Sequence, residues 1–105
     1  MSAAELIKKL PSALNVDAAA GTDATIQFNI SSPMNVVIKD GQASANEGSA
    51  ANADVTLTME DEDLIALMKG ELNGMTAFMT GKLQLEGDLM LAQRIGTLFD
   101  ASKLG

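Results

Sequence analysis

Four consecutive carboxylates, Glu60 to Asp63, are the densest group of potentially reactive side chains in the sequence. A cluster of this kind can bind a cation, but the ligands of a calcium loop alternate with other residues, and this run lacks that spacing. Carboxylates are also favoured in the first turn of a helix, where they face the positive end of the macrodipole. We therefore expect the run to open a helix, and we predict no metal site.

A second candidate, Gly81-Lys82, has the dipeptide that ends a phosphate-binding loop. However, Leu83 occupies the position where Ser or Thr would bind magnesium, and the preceding Gly74 is too far back. We interpret Gly81 instead as the C-terminal cap of a helix.

The remaining composition offers little for catalysis. The chain has no Cys and no His, which removes thiolate metal sites, disulfides and the commonest general base. No serine lies in a Gly-x-Ser-x-Gly turn. A net charge of −7, scattered basic residues and the absence of Trp and Tyr argue against nucleic-acid binding. We predict a protein that is not an enzyme and has no cofactor.

The composition, with 47% hydrophobic and 20% charged residues, is that of one globular domain over residues 1–105. No apolar run approaches the roughly 20 residues that span a bilayer, and the first residues lack the apolar stretch of a secretory signal. We expect an intracellular protein.

Period-two alternation of apolar and polar residues predicts five strands. In the first, Ile26, Phe28 and Ile30 alternate with polar residues, which indicates one buried face. The dipeptide Asp40-Gly41 favours a tight hairpin between the second and third strands. The predicted strands cover residues 23–30, 35–39, 42–46, 55–59 and 82–86.

Helical spacing of apolar residues predicts about four to five helices. Ser2 and Glu5 have the spacing of a capping box, Pro11 kinks or ends the first helix, and Asp88 is placed to cap the last one. Because the strands keep one polar face, the helices should cover the other face. The prediction is an α+β fold with a mostly antiparallel five-stranded sheet.

Residues 53–99 are rich in Met and Leu. Their usual role would be an ordinary packed core. Flexible thioether and aliphatic side chains can also line a volume that adapts to an apolar guest, and spacing alone does not distinguish the two outcomes. The large side chains in question are Met59, Met68, Met75, Phe78, Met79, Met90 and Phe99.

Several strings of this chain resemble the sterol-carrier-protein family, which comprises small non-specific lipid-transfer domains. A weaker match covers residues 17–21 and 27–30. The stronger matches are DVTLTM at 54–59, DEDL at 61–64, GELN at 70–73, AFMTGKL at 77–83 and GDLMLA at 87–92.

The resemblance implies an apolar tunnel between the sheet and the helices. Such a tunnel would accept a fatty acyl chain, an acyl-CoA, a phospholipid or a sterol. The lipid-binding residues that it implies are Phe28, Ile30, Leu57, Met59, Leu64, Leu67, Met68, Met75, Phe78, Met79, Leu83, Ile95, Leu98 and Phe99.

The implied function is non-specific lipid binding and transfer by partition, since burying a chain gains about 0.8 kcal/mol per methylene. The alternative is a non-catalytic accessory module for an acyl-processing enzyme. By the same resemblance, Lys8 and Lys9 on the first helix could make a transient contact with an anionic membrane surface; a simply solvated helix face is the other interpretation.

The chain departs from the family pattern at residues 31–35. Many relatives carry a glycine-rich turn and a tryptophan there, whereas this chain has Ser31-Ser-Pro-Met-Asn35. The resemblance therefore does not predict the structure of that tunnel wall or the access to the tunnel. At the other end, Ser102-Lys103-Leu104 would be a peroxisomal address at a chain terminus, but Gly105 follows. We therefore expect a cytoplasmic location.

Overall fold

The computed structural model describes residues 2–100, which contain the predicted five-stranded sheet. The residues 102–105 that bear on the location lie outside this range. The strands are β1 (Ala24–Asn29), β2 (Met34–Lys39), β3 (Gln42–Glu47), β4 (Val55–Met59) and β5 (Leu83–Gly87).

The sheet has the order β3-β2-β1-β4-β5. β1 and β4 are parallel, and the other neighbouring strands are antiparallel. The β2–β3 hairpin turns at Asp40 (φ 54°) and Gly41 (φ 75°), as the dipeptide predicts, because both central residues of this tight turn need positive φ. The prediction of a mostly antiparallel five-stranded sheet is confirmed.

Five α-helices lie within the described range: α1 (Ala3–Lys9), α2 (Val16–Ala19), α3 (Asp61–Met68), α4 (Gly74–Met79) and α5 (Leu89–Leu98). The Ser2 hydroxyl accepts from the Glu5 amide and donates to the Glu5 carboxylate, both at 3.1 Å. Pro11 lies in a 3₁₀ turn directly after α1. None of the helices in residues 2–100 has the length and apolar character needed to cross a membrane.

The two faces of the sheet differ, as the alternation predicts. Ile26, Phe28 and Val36 are fully buried on the helix side, where they form the core with α1. The opposite face is polar but partly covered, because the loop after β3 folds back over it. The buried Gln27 side chain accepts from the Ala50 amide at 2.7 Å and donates to the Gly48 carbonyl at 3.4 Å.

Candidate functional site

An apolar cavity of about 510 Å³ lies between the helices and the β4–β5 edge of the sheet. Its size falls within the range of about 300–1,000 Å³ that is typical of small-molecule sites. Its walls come from the end of α3, from α4, from α5 and from strands β4 and β5. The lining residues are Leu57, Leu67, Met68, Gly70, Gly74, Met75, Phe78, Leu83, Leu85, Leu89, Ala92, Gln93, Ile95, Gly96 and Phe99.

The sheet wall of the cavity follows from strand register. Leu57 of β4 is directly opposite Leu85 of β5, and Leu83 is two residues before Leu85 on the same face. These three side chains share the helix side of the sheet, since side chains alternate between the faces of a strand. The antiparallel pairing thus forms a continuous apolar wall on the sheet side of the cavity.

The opposite wall is a stripe along α5. Ala92, Ile95, Gly96 and Phe99 have the i, i+3, i+4, i+7 spacing of one helix face. The Asp88 carboxylate begins this helix by accepting from the Met90 and Leu91 amides at 3.0 and 3.1 Å. The stripe therefore starts from a defined helix end and faces β4 and β5.

Small residues leave part of this volume open. A Cβ atom built on Gly96 would have no heavy atom within 4 Å, and one built on Gly74 would be 3.5 Å from Leu67 Cδ1. A side chain at Gly96 would thus extend into open space next to the apolar walls.

The side chains that line the cavity are almost all apolar. Among the lining residues only Gln93 has a polar side chain. In the part of the chain that the structure describes, no group of three or more Asp, Glu, His or Cys residues could hold a metal ion. The site can exclude water from an apolar guest, and it offers one amide for a polar end.

The cavity brings together many of the residues that the resemblance implies. Five others lie in the packed core away from the lining: Phe28, Ile30, Met59, Leu64 and Leu98. Met79 is 77% exposed and does not line the cavity. The implied residues that do line it are Leu57, Leu67, Met68, Met75, Phe78, Leu83, Ile95 and Phe99. A lipid contact for any of the fourteen stays a prediction.

Seven lining residues are not among the lipid-binding residues that the resemblance implies: Gly70, Gly74, Leu85, Leu89, Ala92, Gln93 and Gly96. The signal for some of them was present. Leu85 alternates with Leu83 on the same strand face, and Ala92 and Gly96 continue the helical spacing of Ile95 and Phe99. The glycines carry no hydrophobic signal, because they contribute to the cavity through the side chains that they lack.

The opening of the cavity is bordered by apolar side chains that reach solvent. Met75 of α4 is 61% exposed, Phe78 is 47% exposed, and Leu89 at the start of α5 is 50% exposed. All three also line the cavity. The apolar interior is therefore continuous with an apolar border at the surface.

Two curated proteins match this chain over small parts of their own length. Sterol carrier protein 2 from Bos taurus is 44% identical over 63 residues, which is 60% of this chain and 12% of that protein. Peroxisomal multifunctional enzyme A from Dictyostelium discoideum is 33% identical over 102 residues, which is 96% of this chain and 22% of that protein. The chain thus spans less than a quarter of either relative.

Solved structures and a family profile match nearly the whole chain. The solution structure of palmitated SCP2L2 from Aedes aegypti has a TM-score of 0.70 and 26% identity, and the match covers 99% of this chain and 95% of that one. The profile of the SCP-2 sterol transfer family matches residues 4–100. These matches confirm the resemblance that the sequence strings indicate, and the chain belongs to the SCP-2 sterol transfer family.

Proposed function

We propose that the protein binds a fatty acyl chain, or another apolar lipid, in the 510 Å³ cavity and transfers it non-specifically between lipid surfaces. The observation that carries this proposal is the apolar lining, in which Gln93 is the only polar side chain among the described lining residues. The palmitated state of the Aedes aegypti relative supports a fatty acyl ligand. The protein acts as a lipid carrier and catalyses no reaction.

Transfer of an acyl chain from water into the cavity is favourable enough to drive binding. Burial gains about 0.8 kcal/mol per methylene, so a sixteen-carbon chain gains roughly 12 kcal/mol. Association costs at least about 4 kcal/mol, which leaves at most about 8 kcal/mol, a dissociation constant in the micromolar range at best. Affinity should therefore rise with chain length and depend little on the head group.

We propose two different roles for the residues that the resemblance implies. The eight that line the cavity contact the guest directly. Phe28, Ile30, Met59, Leu64 and Leu98 are core residues that hold the walls in place. The exposed Met79 has a separate role at the surface.

Native mass spectrometry and titration with a fluorescent fatty acid test the proposal. We expect one acyl ligand per chain in the gas-phase complex and saturable binding in solution. Gly96→Leu should fill open volume and weaken binding by at least about tenfold, which corresponds to about 1.4 kcal/mol.

Gly96→Ala is the matched control. It adds one methyl group, and it should raise the free energy of unfolding by about 0.5–1 kcal/mol, because Ala is the better helix former in α5. Binding by this variant should stay close to that of the parent. A folded parent protein that binds no acyl probe and carries no lipid would refute the proposal.

One observation favours a second candidate function, an accessory module for an acyl-processing enzyme. The Dictyostelium discoideum relative is a multifunctional enzyme, and this chain matches 22% of it. Copurification with such an enzyme, with no lipid signal in native mass spectrometry, would support this role over carriage.

A cytoplasmic location is also part of the proposal, with the peroxisome as the alternative. The peroxisomal name of the Dictyostelium discoideum relative favours the alternative. Imaging of the chain with a fluorescent protein at its N-terminus, in a cell that has peroxisomes, separates the two locations.

A further inference from the structure

Exposed apolar side chains are concentrated beside the cavity opening. Residues 2–100 contain six exposed large hydrophobic residues, and five of them belong to α4 and the first turn of α5. We call these five the apolar rim: Met75, Phe78, Met79, Leu89 and Met90. The sixth, Val16, is the first residue of α2. This helix contacts α5, and its Ala18 carbonyl accepts a hydrogen bond from Arg94 in the second half of α5.

Two members of the apolar rim have no role in the cavity or the core. Met79 is 77% exposed and Met90 is 76% exposed, and neither lines the cavity. Each follows a lining residue directly in sequence, Phe78 in one case and Leu89 in the other. Packing and guest binding thus account for Met75, Phe78 and Leu89 but leave these two methionines unexplained.

The charge pattern around the apolar rim differs from that of the whole protein. The chain has 14 acidic residues and a net charge of −7, yet residues 72–85 and 89–99 contain none. Their charged residues are Lys82 and Arg94, and Arg94 donates to the Ala18 carbonyl at 3.1 Å. A surface with apolar side chains and no carboxylates can enter a lipid headgroup region at little electrostatic cost.

The acidic residues between and beside these segments have other placements. Glu86 is opposite Thr56 on the polar face of the sheet, away from the helices. The Asp88 carboxylate accepts the first amides of α5. Glu71 is exposed in the turn before α4 and borders the first segment. Asp100 follows the second segment, where its amide donates to the Ala13 carbonyl at 2.8 Å, at the opposite end of α5 from Leu89 and Met90. The rim itself carries no negative side chain.

The first helix offers no comparable surface. Its large apolar residues Leu6 and Ile7 are fully buried, so they are not available to a membrane. The Lys8 ammonium group is 3.5 Å from the Glu47 carboxylate, which reduces the positive charge that this helix presents. The lysines of α1 are therefore a weaker membrane contact than the apolar rim.

We propose that the apolar rim docks on the surface of a lipid bilayer, with Met79 and Met90 inserted as anchors. This inference rests on the proposed function and adds the route by which a guest enters. Met75, Phe78 and Leu89 belong both to the rim and to the lining, so an acyl chain can pass from the bilayer into the cavity along apolar contacts. Attraction is apolar, and the net charge of −7 opposes binding to anionic lipid at long range.

Flotation with vesicles tests the docking, using either phosphatidylcholine alone or phosphatidylcholine with phosphatidylserine. We expect stronger binding to the neutral vesicles at low salt, and added salt should reduce the difference because it screens the repulsion. A double variant, Met79→Glu with Met90→Glu, should lower the partition coefficient by at least about tenfold, since each side chain contributes through buried apolar area.

Val16→Glu is the matched control, because it places the same charge on another exposed hydrophobic residue. It should leave vesicle binding close to that of the parent, as should Lys8→Ala with Lys9→Ala. The Met79→Gln, Met90→Gln variant should also lose vesicle binding, without added charge. Thermal unfolding would check that all variants are folded.

Binding of a soluble fluorescent fatty acid separates this inference from the proposed function. The rim variants should bind the probe as the parent does, because neither methionine lines the cavity. Loss of vesicle binding in the lysine variant but not in the rim variants would overturn the docking surface. So would a parent dimer that the rim variants convert to a monomer, or a parent that binds the probe but no vesicle.

Discussion

Ser31, just after β1, donates two hydrogen bonds to the carboxylate of Asp61, the first residue of α3. Its amide is 2.8 Å from Asp61 Oδ1, and its hydroxyl donates to Oδ2. The two bonds join the end of a central strand to the start of a helix that borders the cavity. They also hold the pKa of Asp61 below its ordinary value of 3.8, because they favour the charged carboxylate.

Ser31→Ala should therefore raise the pKa of Asp61 toward its ordinary value, which an NMR titration of the side-chain carboxyl carbon measures. The contribution of the ionised carboxylate to stability should be complete above pH 3.8 and should be lost as the pH falls through the lower pKa of the folded state. The parent protein should thus exceed Asp61→Asn in free energy of unfolding most clearly at neutral pH. A difference in free energy of unfolding between the parent and Asp61→Asn that stays constant down to acid pH would contradict a stabilising role for the ionised carboxylate.

Gly87 ends β5 where the chain passes close to β4. Its φ is +98°, and a Cβ at this position would collide with the Asp54 carbonyl oxygen, which accepts from the Asp88 amide at 2.8 Å. We expect Gly87→Ala to lower the free energy of unfolding by about 1–3 kcal/mol from the backbone conformation, and further from the collision.

Gly21→Ala is the control for this prediction. Gly21 also has a positive φ, +75°, but a Cβ there would meet nothing within 4 Å. Thermal unfolding should show the larger decrease in Tm for Gly87→Ala, by about 4–8 °C for each extra kcal/mol in a domain of this size. Equal losses in the two variants would show that the close approach to Asp54 is unimportant.

The polar face of the sheet should affect stability without affecting the cavity. Gln27→Leu removes the acceptor of the Ala50 amide and the donor to the Gly48 carbonyl, so it should cost about 1–3 kcal/mol. Gln84→Leu makes the same change at an exposed position of the same face and should cost much less. Urea unfolding measures both variants. Fatty-acid titration of Gln27→Leu should match the parent, and a large loss of binding would contradict the separation of the two faces.

Much of the fold could be predicted because its local signals are strong. Ile26 and Phe28 alternate with polar residues, which indicates a strand with one buried face, and Asp40-Gly41 predicts the hairpin turn. The parallel pairing of β1 with β4 has no such signal. It joins Phe28 to Leu57 across a long stretch of chain, and no residue type or spacing in either strand encodes the partner.

The site was less predictable, because periodicity identifies the buried face of an element but not whether the space beside it is filled. Phe28 and Leu57 both face the helices, yet Phe28 is packed in the core and Leu57 lines the cavity. Gly96 illustrates the reverse problem: a residue with no side chain helps to create the volume. The exposed Met79 follows the lining residue Phe78, and only the orientation of α4 distinguishes them.

Gln93 provides the last prediction, because it is the only polar side chain among the described lining residues. If partition dominates, Gln93→Leu should change the affinity for a long-chain fatty acid by less than about tenfold, since one hydrogen bond contributes about 0.5–1.5 kcal/mol. Gln93→Glu should weaken binding of the ionised fatty acid more than binding of its methyl ester, because a second carboxylate repels only the charged ligand. Equal losses for acid and ester would place the head group away from Gln93, and a loss well above tenfold in Gln93→Leu would mean that polar recognition outweighs burial of the chain.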